Sequence, residues 1–391
     1  MGKPVKKTAS VKHSFDTKSV IVLLICLLCF AGCAFWANRE AEAPSSGASD
    51  FAEYENGTVL DILSDNTFQD DTADGAYRGE QMMTVLVKTG RYKGETLLTY
   101  NYVGPVYSVP VRSGDSVTLI ISTYENGDHS ATVYEVNRFP AVLITAAVFA
   151  AAAVLIGGKS GAKSLLGLVF IALSLFLVLL PSLMKGAPTV PMTFITCVFI
   201  AAFSFTVMAG TNKKTGCAFL GTIVGVAAGL AFASFAQMIL RVDGLRLEDV
   251  EAIMQLNADG MKIGLKGLLS AGVIISSLGA VMDVAMGLAS SISELHETDK
   301  SLSFKQLFLS GMNIGKDMVG TMTSTLVLAF LGSSFVLILY LYSLNLSRYQ
   351  LLSSAFLSTE LISGLASSFG AILSVPITAF ISAKFFSSEA E

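Results

Sequence analysis

Three carboxylates stand beside hydroxyls and glycines in stretches that are otherwise apolar. Asp283 lies in GAVMDVAMGLASS (residues 279–291), inside an apolar run from about Gly267 to Ile292. An uncompensated carboxylate in a run of that length costs about 2.5–3.5 kcal/mol on membrane-insertion scales. Asp317 opens KDMVGTMTSTL, and Glu360 opens TELISGLASSFGAILSVPITAFISA. Acids of this kind, when they face the interior of a helix bundle, bind cations or pass protons.

Spacing arranges these residues into stripes. At 100° per residue, Gly272, Ser276, Gly279, Asp283, Gly287 and Ser290 fall within about 80° of a helical wheel, and Glu294 continues the face. Asp317, Gly320, Thr321 and Ser324 share a second face, with Thr325 at its border. Asp317 also suits the N-cap of a helix beginning there. Glu360, Gly364, Ser367, Ala371, Ser374, Thr378 and Ser382 line a third. Pro376 removes one backbone donor from that helix and disturbs the carbonyl of Ile372, either as a packing kink or as a broken helix beside a path. Two readings follow. The stripes line a polar path through Asp283, Asp317, Thr321, Ser324, Glu360, Ser367 and Ser374, or the same small and hydroxylated residues only pack helices, with Asp283 bonded to a hydroxyl or lysine.

Other chemistry is poorly supplied. The three histidines, His13, His129 and His296, lie outside the apolar runs, so neither a membrane Ser–His pair nor an HExxH zinc site is expected. No phosphate loop of the G-x-x-x-x-G-K-[ST] form occurs. No metal or cofactor is implied, and the chain is not expected to be an enzyme. Cys26, Cys29, Cys33, Cys197 and Cys217 lie in or beside apolar runs and suggest no disulfide framework.

The elements that position the stripes are membrane helices. Of 391 residues, 52% are hydrophobic and only 14% charged, and mean hydropathy is +0.63; a soluble chain carries about 25% charged residues. Eight runs approach the ~20 residues that span ~30 Å of hydrocarbon. They lie near 19–36, 139–157, 164–184, 189–209, 216–240, 267–292, 318–343 and 360–383. Lys3, Lys6, Lys7, Lys12 and Lys18, then Lys159 with Lys163, and Lys213 with Lys214, fall on one side of such a chain. The positive-inside rule makes that side the cytosol, with both termini there. The outer loop 241–266 breaks the pattern with four basic residues, accompanied by five acidic ones. Gly221, Gly225 and Gly229 repeat every fourth residue in the fifth run, a spacing that lets helix backbones approach. SLSFKQLFLSGMNIG (301–315) reads as an amphipathic helix that lies at the interface or docks a cytosolic partner. Residues 247–254 also carry helical periodicity.

Between the first two runs, 37–138 forms an extracytoplasmic domain with a flexible start. TVLDIL, MMTVLVKT, ETLLTYNY, SVTLIIST and ATVYEV read as five strands, the last two joined across Asn126-Gly127. A small barrel or sandwich is expected, with the OB type as one candidate. Sixteen acidic against seven basic side chains give it a net charge near −9, which excludes nucleic-acid binding. Asp65, Asp70, Asp71 and Asp74 cluster in one loop, without the spacing of a known calcium site. The chain thus divides into a basic tail (1–18), an anchor (19–36), this β-rich domain, a seven-helix membrane domain (139–385) and a short tail (386–391).

SLGAVMDVAMGLASSISEL, NIGKDMVGTMTSTLVLAFLG and TELISGLASSFGAILSVPITAFISA, in that order, closely resemble the signature segments of the YibE/F-like family of bacterial multi-span membrane proteins. The resemblance covers about 140–385. Lys316 stands where the family usually has Arg, and Ser324 where it has Asn. It implies a bacterial cell-membrane location and points to Asp283, Asp317, Gly320, Thr321 and Glu360 as motif positions. The domain after one anchor is similar to the longer, YibE-like type. It implies a partner within the bilayer, either a YibF-like paralogue or a second copy.

Overall fold

The computed structural model describes residues 17–39, 52–124, 129–247, 250–258 and 260–387. It forms two units, divided near residues 41 and 155. Along the chain run α1 (Thr17–Asn38), β1 (Ala52–Asp65), β2 (Phe68–Asp70), β3 (Ala76–Val87), β4 (Thr96–Val103), β5 (Ser116–Thr123), β6 (His129–Val136) and α2 (Phe139–Ser174). A π-helical turn, Leu175–Leu179, leads into α3 (Leu180–Met184). Then come α4 (Thr189–Ala209), α5 (Lys213–Leu240), α6 (Val250–Ala258), α7 (Leu268–Thr298), α8 (Phe304–Ser333), α9 (Phe335–Ser343), α10 (Arg348–Leu352) and α11 (Ala355–Ser387).

The β unit closes on itself. β1 pairs antiparallel with β5 through its first half and with β3 through its second. β3 pairs with β4, β4 runs parallel to β6, and β6 pairs back to β5. A ring of strands leaves little unpaired edge for a second chain to extend. Alternate residues point inward along β3, β4 and β5. Val59, Met83, Val85, Leu119 and Ile121 are at most 1% exposed and form the core. All five expected strands are present, and β2 is added within the acidic loop. The Asn126-Gly127 turn lies outside the described residues. Only Asn137 and Arg138 separate β6 from α2. Asn137 donates its amide to the carbonyl of Ser116 at 2.9 Å, and its Oδ1 accepts from the Phe139 amide at 3.1 Å. Arg138 pairs with Glu135.

The helical unit holds most of the span-length helices, and the first part of α2 belongs to the β unit. Among the described residues seven helices are long and apolar enough to cross a bilayer, where eight were expected. The expected spans 139–157 and 164–184 join into one run of 46 residues. Only Gly158 (φ 55, ψ −132) leaves helical geometry within α2, a conformation that glycine adopts without a Cβ clash. The seventh expected span also moves. α8 begins at Phe304 and ends at Ser333, so 301–315 is not a separate amphipathic helix but the first turns of a span. Its Leu307 is fully buried, and Phe304 meets Phe380 edge-on at 5.5 Å, so this chain's own α11 takes much of the face expected to dock a cytosolic partner.

Contacts define the two ends of the unit. At one end the Ser19 and Thr211 hydroxyls meet at 3.0 Å, Lys163 Nζ donates to the carbonyl of Met208, and His296 lies 5.7 Å from the Phe386 ring. At the other, Lys185 Nζ donates to the carbonyl of Trp36 at 3.0 Å, Thr189 Oγ1 to that of Gly264 at 2.9 Å, and Ser334 Oγ to Glu360 at 2.6 Å. Helices therefore run end to end between a Ser19 end and a Trp36 end.

Candidate functional site

α7 shows a sharp division of faces. Val273, Ile274, Val281, Val284, Ala285, Leu288, Ala289 and Ile292 are fully buried. Gly272, Gly279, Asp283 and Glu294 are exposed, while Ser276, Gly287 and Ser290 are half-buried. Asp283 lies about 22 Å from either end of the helix at 1.5 Å per residue, at its midpoint. It has no hydrogen-bond or ion-pair partner among the described residues. A Cβ on Gly272 or Gly279 would meet nothing within 4 Å; one on Gly287 would come 2.9 Å from Cε of Met318 in α8. The stripe is open at Gly272, Gly279 and Asp283, while its half-buried members border neighbouring helices, Gly287 against α8 and Ser276 against α11.

The stripe on α8 is open too. Asp317, Gly320, Thr321, Ser324 and Thr325 are all exposed, and Leu307, Gly311 and Gly315 form the buried face. The N-cap role expected for Asp317 does not occur. The helix is capped by a Ser303–Gln306 capping box, and Asp317 sits in its middle. The hydroxyls bond back to their own helix, Thr325 to the carbonyl of Thr321 at 2.9 Å and Ser324 to that of Gly320 at 3.3 Å.

α11 is the reverse. Ser367, Ser374, Thr378 and Ser382 are 0% exposed. They face the glycine stripe of α5: a Cβ on Gly221 would fall 2.0 Å from Thr378 Oγ1, and one on Gly225 2.8 Å from Ser374 Cβ. A Cβ on Gly229 would be 3.0 Å from the carbonyl of Ala366. Across the seam Gly370 approaches the carbonyl of Gly225 as closely. Ser374 donates to its own helix at the carbonyl of Ala371. Among the described residues the hydroxyl of Thr378 has no hydrogen-bond partner, and that of Ser382 faces the Cys217 thiol of α5. α11 continues unbroken through Pro376, so no broken helix forms there. Glu360, half-buried, accepts from Ser334 where α8 gives way to α9.

The residues of the expected path thus occupy three places. Asp283, Asp317, Thr321 and Ser324 lie on open faces, Ser367 and Ser374 in a sealed seam, and Glu360 at the Trp36 end. Ser276 and Ser367 join the first two through a hydroxyl contact of 2.9 Å. Among the described residues no three His, Cys, Asp or Glu side chains are grouped to hold a metal. In the acidic loop, Asp65 accepts from the amide and hydroxyl of Thr67 and from Gln81, and Asp70 accepts from Thr72 and pairs with Arg78. These carboxylates hold turns, and their bonds keep both below the ordinary carboxylate range. Wheel reasoning missed Gly370, whose signal was a glycine one turn from Ser374. It also missed a basic cluster of Arg39, Lys185 and Lys262, foreshadowed by the basic residues that break the charge pattern of loop 241–266.

A stripe-bearing multi-span bundle, carrying a small closed β-barrel near its N-terminus, is the class these features define. Residues 145–388 match the model of the YibE/F-like protein family, and the chain belongs to that family. No match was found among curated proteins, and none among solved structures.

Proposed function

We propose that the chain is a component of a permease-type membrane assembly whose polar path forms where the open faces of α7 and α8 meet a second membrane protein, a family paralogue or another copy. The observation that carries this is Asp283: a carboxylate at mid-helix in a span, exposed on its own chain and unpartnered. Lipid against that face would cost about 2.5–3.5 kcal/mol for this residue alone. Covering it with another helix or with path water removes that penalty, and the flanking Gly272 and Gly279 let a backbone come close. In this reading Asp283 and Asp317 bind a cation or pass protons, and the chain performs no enzymatic chemistry.

A nitroxide at Gly279, in native-like membranes holding the complete assembly, tests it. Collisions with a polar relaxant, or occlusion from every relaxant, are expected. Lipid-type accessibility to oxygen overturns the reading. Asp283→Asn is expected to lower cation or proton flux in vesicles at least tenfold (about 1.4 kcal/mol).

The barrel favours a second role as a scaffold. Its order β1-β3-β4-β6-β5, closed between β5 and β1 with β4 parallel to β6, supports the OB type, a fold that offers one face to ligands. If Asp283→Asn is silent in cells while removal of 52–136 is not, binding of an envelope component is the chain's task.

The chain is also proposed to cross the membrane eight times, with both termini in the cytosol. Lys163 at the Ser19 end and Lys185 at the Trp36 end support a crossing over 163–185. The break in helical geometry at Gly158 supports a separate crossing before it.

A further inference from the structure

At the Trp36 end, away from the open faces of α7 and α8, Trp36, Arg39, Met184, Lys185, Gly260 and Lys262 line an open basin of about 690 Å³. Three of the six are cations. No acidic side chain is among the described residues that line it.

Lys185 is fixed in place. Its Nζ donates to the carbonyls of Trp36 and Arg39 at the end of α1 and lies 5.7 Å from the centre of the Trp36 ring. Those carbonyls suit a cation at a helix C-terminus, but they leave its net charge in the basin. Gly186 turns the chain with φ 84, and its backbone sits so close to Lys262 that a Cβ would lie 3.0 Å from Lys262 Cβ. The turn therefore holds Lys185 and Lys262 side by side. Arg39 and Lys262 are exposed, and neither side chain donates to a protein group among the described residues. Three like charges gathered at one concavity raise its potential and call for an anion.

Depth identifies the anion. α1 ends at Asn38, α4 begins at Thr189 and α7 at Leu268, so the basin lies where helices leave hydrocarbon. Trp36 is the residue type that settles at that level. Lipid phosphates occupy the same level, and a concavity with three clustered cations suits such a headgroup on either face of the bilayer. We propose that this basin binds the phosphodiester headgroup of an anionic phospholipid. Arg39 and Lys262 clamp the phosphate, Lys185 supplies the fixed third charge, and Trp36 with Met184 forms the wall against which the glycerol end rests.

The test uses the purified full-length chain, with binding and thermal stabilisation measured for phosphatidylglycerol, phosphatidylcholine and inorganic phosphate. Phosphatidylglycerol is expected to bind more tightly than phosphatidylcholine, and the two free cations to account for roughly a thirtyfold preference. The double replacement Arg39→Gln, Lys262→Gln should remove that preference. Arg39→Lys with Lys262→Arg, which keeps both charges, should retain most of it. Equal binding of the two lipids by the unaltered chain overturns the proposal without any variant having to fold. So does stabilisation by inorganic phosphate equal to that by phosphatidylglycerol, which would assign the basin to a free anion. A preference that survives the double replacement overturns it as well.

Discussion

Asp283 and Asp65 show how differently two carboxylates of one chain are held. Asp283 accepts nothing from the described residues, so Asp283→Asn should leave the thermal stability of the isolated protein within about 0.5 kcal/mol of the original, as exposed replacements do. Asp65 is held by Thr67 first and Gln81 second, which together depress its titration. A depressed carboxyl contributes stability that is fully present above its ordinary pKa of about 3.9 and is lost as pH falls through the folded value. Asp65→Asn should therefore destabilise the barrel at pH 6, and the gap between variant and original should close as pH falls from about 5 toward 2. Thermal melts of the full chain, followed by the β-sheet circular dichroism signal, give that profile. A gap that widens on acidification would contradict the assignment. The sequence marked Asp65 as one of four loop acids. It did not show that Gln81, sixteen residues on, would turn a buried amide toward it.

At the scale of elements, two helices with nearly the same composition have opposite surroundings. α7 and α11 each carry a stripe of glycine and serine. α11 buries its stripe against α5, while α7 turns its stripe outward and buries valine, isoleucine and leucine. A helical wheel reports which residues share a face, and it reported both stripes correctly. It cannot report which face is inside, because lipid removes the water that would otherwise drive the apolar side inward. The same limit explains α8. The apolar run seemed to start after Lys316 and Asp317, but the helix continues through both because they sit on its open side. Gly221 gives the seam its sharpest test. Gly221→Ala should cost about 1–3 kcal/mol as an overpacked contact, because the new methyl meets Thr378 Oγ1. Thr378→Ala removes the obstructing oxygen, and a double-mutant cycle should show at least about 1 kcal/mol of recovery. Gly279→Ala, facing open space, is the neutral comparison. Additive losses at Gly221 and Thr378 would mean that the two helices do not meet as described.

For the whole molecule, the number of crossings turns on one residue. A continuous helix of 46 residues would measure about 69 Å, more than twice the hydrocarbon thickness. Cysteine introduced at Ser160 should react with an impermeant maleimide from the same side as cysteine at Ser19, and cysteine at Gly186 from the opposite side. Reaction of the Ser160 and Gly186 positions from one side would remove the crossing between them. The junction between barrel and membrane has its own mechanical meaning. Asn137 is tied back to the barrel at Ser116 and forward to the first turn of α2 at Phe139, with only Arg138 between it and the helix. Through these two bonds a twist of β6 would be felt first in the opening turn of α2, as through a keyed shaft.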